Sequence, residues 1–189
     1  AFRADCREFR QALAELAPSF QPPATVIERE VFYNHLHPFR WAWLLYATTF
    51  FVTLAPRLRK VGLGIFSVGI GMHAWGFLLR CLISGRAPVT NMYESVVWVS
   101  LGVAVFALIF ELIFRARVYV LAAAPLAVIG LLLADLLPSV LNPSIRPLPP
   151  VLRDNFWLAT HVLTITLGYA AFALTMALGH IVLGHYLFR

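Results

Sequence analysis

The run Asn155-Phe156-Trp157-Leu158-Ala159-Thr160-His161-Val162 opens the last apolar segment of the chain. It sets an imidazole about a turn and a half into a helix that reads as membrane-spanning, with Phe156 and Trp157 as an interfacial girdle. Neutral imidazole is a frequent metal ligand, haem iron included. One histidine supplies one axial ligand, so the other must come from elsewhere. An interfacial histidine without a role has the same surroundings, because imidazole is amphipathic. His73 lies near the middle of another apolar run, a depth at which an ionisable group is a functional candidate by default. The alternative is a neutral ring hydrogen-bonded to a neighbouring helix across the nearby glycines. His180 follows His161 by nineteen positions, roughly 28 Å along a helix. The two cannot share one ligand, and His180 and His185 read as snorkelling side chains at the far interface. His35 and His37 are two apart, which does not place them on one helical face and does not match zinc spacings. Arg80, Glu94 and Asp135 fall near one membrane level, where Arg80 pairs with Glu94 or with Asp135 to lower the cost of burial. Arg86, Arg146 and Arg153 are the cations able to meet a ligand carboxylate.

The elements that must position these residues follow from composition. Hydrophobic residues make up 60% of the chain and charged residues 13%, against roughly 25% charged in soluble domains. Mean hydropathy is +0.78. These values, with long apolar runs, indicate an integral membrane protein of all-α class. About five spans are expected: 39–55, 61–83, 93–114, 118–137 with Pro125 as a kink, and 156–187. Residues 1–20 read as an amphipathic surface helix and 24–37 as a short strand or the tail of a preceding domain. The boundaries are therefore 1–37 for an N-terminal extramembrane segment and 38–189 for the transmembrane bundle. The chain starts with Ala and shows no signal peptide, as expected of an excerpt or a processed product.

The net charge of +6 does not point to nucleic acid, since the basic residues cluster at helix ends. Arg57, Arg59, Lys60, Arg115, Arg117 and Arg189 share one side, which the positive-inside rule makes cytoplasmic. The N-terminal segment and loops 85–92 and 138–154 then face outward. Cys6 and Cys81 form no CxxC and read as structural thiols.

Three stretches go beyond composition. They are His73-Ala74-Trp75-Gly76 with Arg80 and the run Ser84 to Ser95; Phe156-Trp157-Leu158-Ala159-Thr160-His161-Val162; and Gly168-Tyr169-Ala170-Ala171-Phe172. In this order they resemble the CcsA part of System II cytochrome c biogenesis proteins, in particular the fused CcsB–CcsA forms, over residues 28–189. The resemblance implies a bacterial inner-membrane component that handles haem b as transported substrate and presents it outside to apocytochrome c. Cysteines of a CxxCH motif there add to the haem vinyl groups. It implies His161 as an external axial ligand through the haem iron, by its W-L-x-x-H-V context. Trp157 and His73 are further haem-contact candidates, and Arg86 a propionate partner.

The family's tryptophan-rich WWD segment does not occur in this chain, whose five tryptophans are scattered. That segment and a second external histidine are expected beyond Arg189, and a CcsB-like half upstream or on another chain. A part of a cytochrome c synthase is thus expected, inactive by itself. Two other readings stay open: a transporter or permease half with His73 on its path, and a structural membrane subunit.

Overall fold

A computed structural model gives the fold and describes residues 8–9, 11–12, 23–87, 89–145 and 155–188. The amphipathic helix expected over residues 1–20 lies almost wholly outside the described residues, as do Arg146 and Arg153. Six helices follow one another, with no strand among the described residues. They are α1 (Ala24–Leu36), α2 (Pro38–Leu54), α3 (Arg59–Ser84, after a 3-10 turn at Pro56–Leu58), α4 (Met92–Phe114), α5 (Val118–Leu136) and α6 (Asn155–Leu187).

Local chemistry sets the breaks. The residue before a proline is disfavoured from the right-handed helical region. His37 accordingly leaves it, with φ 44°, and closes α1 through an N–H bond to the Tyr33 carbonyl. Pro38 then opens α2 at the first helical position, where its missing N–H costs nothing. Gly85, at φ 67°, ends α3 in the left-handed conformation that suits glycine. Asn91 caps α4 by accepting from the Glu94 N–H at 2.8 Å. The segment 24–37 is thus a helix rather than a strand. It has no buried residue of its own and rests on α3, so the contact that holds it lies elsewhere in the sequence.

Helices α3 to α6 are long and apolar enough to cross a membrane. Helix α2 has 17 residues, about 26 Å at 1.5 Å per residue, at the short limit for a span. It packs between α3 and α5, while α5 also packs on α4 and α6. The inner face of α5 is built from Ala122, Ala123, Ala124 and Ala127. Small side chains let backbones approach, which is how helices gain packing contacts in lipid. Large apolar residues such as Phe51, Phe172 and Val182 point outward, as they do when hydrocarbon is the solvent. The chain is a multi-pass membrane protein.

Candidate functional site

Side-chain bonds show which helix ends lie together. Arg40 at the start of α2 meets Asp135 at the end of α5, with 3.4 Å between nitrogen and oxygen. Arg80 near the end of α3 meets Glu94 in the first turn of α4 at 3.0 Å. The Trp98 indole N–H, on α4, donates to the Leu163 carbonyl of α6 at 3.3 Å. The starts of α2, α4 and α6 and the ends of α3 and α5 therefore share one end of the bundle. His161, two residues before Leu163, belongs to it. At the opposite end Arg59 meets Glu111 at 2.7 Å, and Arg117 donates to the Thr53 and Leu54 carbonyls.

Arg80 organises the first end. It is 1% exposed. One terminal nitrogen donates to Glu94 Oε1; the other donates to the Pro143 carbonyl at 3.0 Å and to the Tyr33 hydroxyl at 3.4 Å. The guanidinium lies 4.8 Å from the Tyr93 ring centroid, a cation–π distance. Glu94 Oε2 accepts from the Thr90 N–H and hydroxyl at 2.9 and 3.0 Å. One ion pair thus ties α1, α3, α4, the 85–91 loop and the start of the loop after α5. Of the two partners expected for Arg80, Glu94 is the one it takes, and Asp135 goes to Arg40.

Arg86 turns inward, with its side chain 8% exposed, 3.6 Å from Glu94 Oε2, and it also donates to the Thr90 hydroxyl. A ligand carboxylate reaching Arg86 competes with Glu94 for it.

His73 is fully enclosed. Its Nε2 lies 3.1 Å from the Val97 carbonyl and its Nδ1 3.3 Å from the Tyr46 hydroxyl. A carbonyl only accepts, so Nε2 carries the proton and Nδ1 accepts from Tyr46. Both nitrogens are occupied, so coordinating iron requires one of these bonds to break. The ring bridges α2, α3 and α4. We expect His73→Leu to strand the Tyr46 hydroxyl and destabilise the protein by about 1 kcal/mol, the usual scale for interhelical bonds in membranes. Adding Tyr46→Phe should recover part of that loss. Unfolding of the native chain and the two variants in detergent measures both steps, and no recovery in the double variant contradicts the bond.

His161 has the opposite setting. It is exposed on α6, and its ring makes no hydrogen bond with a described residue. Trp157, one turn earlier, is 68% exposed and stands edge-to-face with Phe156 at 5.3 Å. His180, also exposed, bonds back to the Met176 carbonyl near the other end of α6. His35 bonds to the Val31 carbonyl within α1. Among the described residues no three His, Cys, Asp or Glu side chains come together to hold a metal ion. Beside Arg80, a cleft of about 260 Å³ is lined by Glu30, Tyr33, Asn142 and Pro143 among others.

Tyr33, Thr90 and the Pro143 carbonyl were not singled out from sequence, nor was the Arg59–Glu111 pair. Glu111 carried a signal, being a lone carboxylate in a run of otherwise apolar residues.

No family model matches the chain. It is 33% identical over 141 residues to protein NrfI of Wolinella succinogenes, covering 74% of this chain and 15% of that protein. It is 36% identical over 113 residues to the cytochrome c biogenesis protein CcsA of Picosynechococcus, covering 58% of this chain and 33% of that one. With CcsA of Microcystis aeruginosa it shares 35% identity over 121 residues, or 64% and 35% of the two chains. The chain is CcsA-like, and it spans about a third or less of the length of these relatives.

Proposed function

We propose that this CcsA-like chain is a haem-handling part of a cytochrome c biogenesis protein, with His161 as one axial ligand. The observation that carries this reading is the contrast between its two candidate imidazoles. A ligand needs an available ring nitrogen and room for the porphyrin. His161 is exposed on its helix face, and its ring makes no hydrogen bond with a described residue, whereas His73 is enclosed with both nitrogens occupied. Trp157 lies four residues before His161, hence on the same side of α6, and offers an aromatic face to a flat apolar macrocycle. The His73 packing also speaks against a permease half, which would need that ring to line an open path.

In this reading haem b is cargo and apocytochrome c its acceptor. The second ligand comes from the remainder of a longer CcsA-type protein, which works with a CcsB-like half. The His161 end faces outward from the bacterial inner membrane, together with residues 1–37 and the 85–92 and 138–154 loops. Arg86 remains a propionate partner, in exchange with Glu94.

His161→Ala in the complete protein tests the reading. Losing a metal's outer-shell partner already costs about 10–100-fold in affinity, and losing a ligand should cost no less. The purified variant is expected to lose at least about nine-tenths of its haem absorbance at normal protein yield, and to regain part of it with added imidazole. Unchanged haem content and attachment would sink the assignment.

A further inference from the structure

The end of the bundle opposite His161 carries five cations in two stretches of sequence: Arg57, Arg59 and Lys60, and Arg115 and Arg117. Within 52–62 and 108–121 the sole carboxylate is Glu111. Glu111 is 1% exposed and held by Arg59, so it does not neutralise the surface. That same pair sets the start of α3 beside the end of α4. Arg117 is spent on the last carbonyls of α2, at 3.4 Å to Thr53 and 3.1 Å to Leu54, a C-terminal role that suits a cation. Arg57, Lys60 and Arg115 are left exposed, and their side chains make no hydrogen bond or ion pair with a described residue. Leu58, Val61, Ile113 and Phe114 beside them are 45–63% exposed.

We infer that Arg57, Lys60 and Arg115 form a docking surface for anionic phospholipid headgroups. Cations without a side-chain partner among the described residues, above an exposed apolar wall, match the two halves of such a lipid. The phosphate and its anionic headgroup lie at the level of the helix ends, and the acyl chains lie along α3 and α4. A soluble anion uses only the first half. The backbone of Arg115 is the left-handed cap of α4 at φ 54°, its N–H bonded to the Glu111 carbonyl, which sets this cation beside the Arg59–Glu111 pair. Lipid attraction to such cations is electrostatic and falls off within a Debye length.

The full chain in detergent, titrated with phosphatidylglycerol or phosphatidylcholine and read by native mass spectrometry, tests this. The native chain is expected to prefer phosphatidylglycerol by roughly tenfold or more. The variant Arg57→Gln, Lys60→Gln, Arg115→Gln should lose that preference while keeping its helicity. A control, Arg29→Gln with Arg40→Gln at the other end, should keep it. Inorganic phosphate at matched concentration should not displace the lipid. A triple variant that retains the preference, a native chain without one, or displacement by phosphate each overturns the inference.

Discussion

Replacing Arg80 with alanine should destabilise the protein by about 3–5 kcal/mol, the usual cost of removing one partner from a buried pair. The size follows from what is left behind. Glu94 is 1% exposed. Without Arg80 its Oε1 loses its 3.0 Å donor, and Arg86 at 3.6 Å from Oε2 is the cation that remains to it. The Pro143 carbonyl and the Tyr33 hydroxyl lose the same donor at once. Arg80→Lys keeps the charge but presents a point cation in place of a planar fork, so it should recover only part of the loss. Arg80→Met combined with Glu94→Gln removes both charges and should cost less than Arg80→Ala alone. The Arg40–Asp135 pair gives the contrast. Its Arg40 side chain is 52% exposed, and breaking it should change stability by no more than about 1 kcal/mol. Unfolding in detergent, followed by helicity, measures the whole set. Arg80→Ala behaving like Arg40→Ala would contradict the role assigned to the pair.

That network also shows what a sequence discloses and what it hides. Apolar runs and their breakers placed the helices within a few residues, 93–114 against Met92–Phe114 and 118–137 against Val118–Leu136. Membrane level was legible too, so Arg80, Glu94 and Asp135 were expected at one height. Direction around each helix was not legible, and it is direction that sends Arg80 to Glu94 and leaves Asp135 to Arg40. The remaining partners of Arg80 come from 47 and 63 positions away, one on a helix that gains its support only from tertiary contact. His161 is a different case. Periodicity gave its depth and the resemblance a candidate role, while the exposed face it shares with Trp157 needed coordinates.

Gly76→Ala is expected to destabilise the protein by about 1–3 kcal/mol, the range for overpacking a filled interior, although alanine favours a helix over glycine by about 1 kcal/mol. The sign depends on what the new methyl meets. An added Cβ would stand 2.8 and 2.9 Å from Pro38 Cγ and Cβ and 3.0 Å from Phe39 Cε1. A proline ring cannot rotate out of the way, so the start of α2 must move. That turn carries Phe39, whose ring meets Tyr33, His73 and Tyr93 at 6.2, 5.5 and 6.4 Å. Displacing it therefore disturbs both the His73 bridge and the Tyr33 support of Arg80. Gly64 and Gly71 lie on the same helix, and a Cβ there meets nothing within 4 Å. Alanine at those two positions should be neutral or stabilising by up to about 1 kcal/mol. One substitution at three glycines of one helix thus separates steric closeness from backbone propensity. Unfolding midpoints in detergent should fall for Gly76→Ala and hold or rise for the other two; a common shift in all three would show that α2 and α3 do not meet at Gly76.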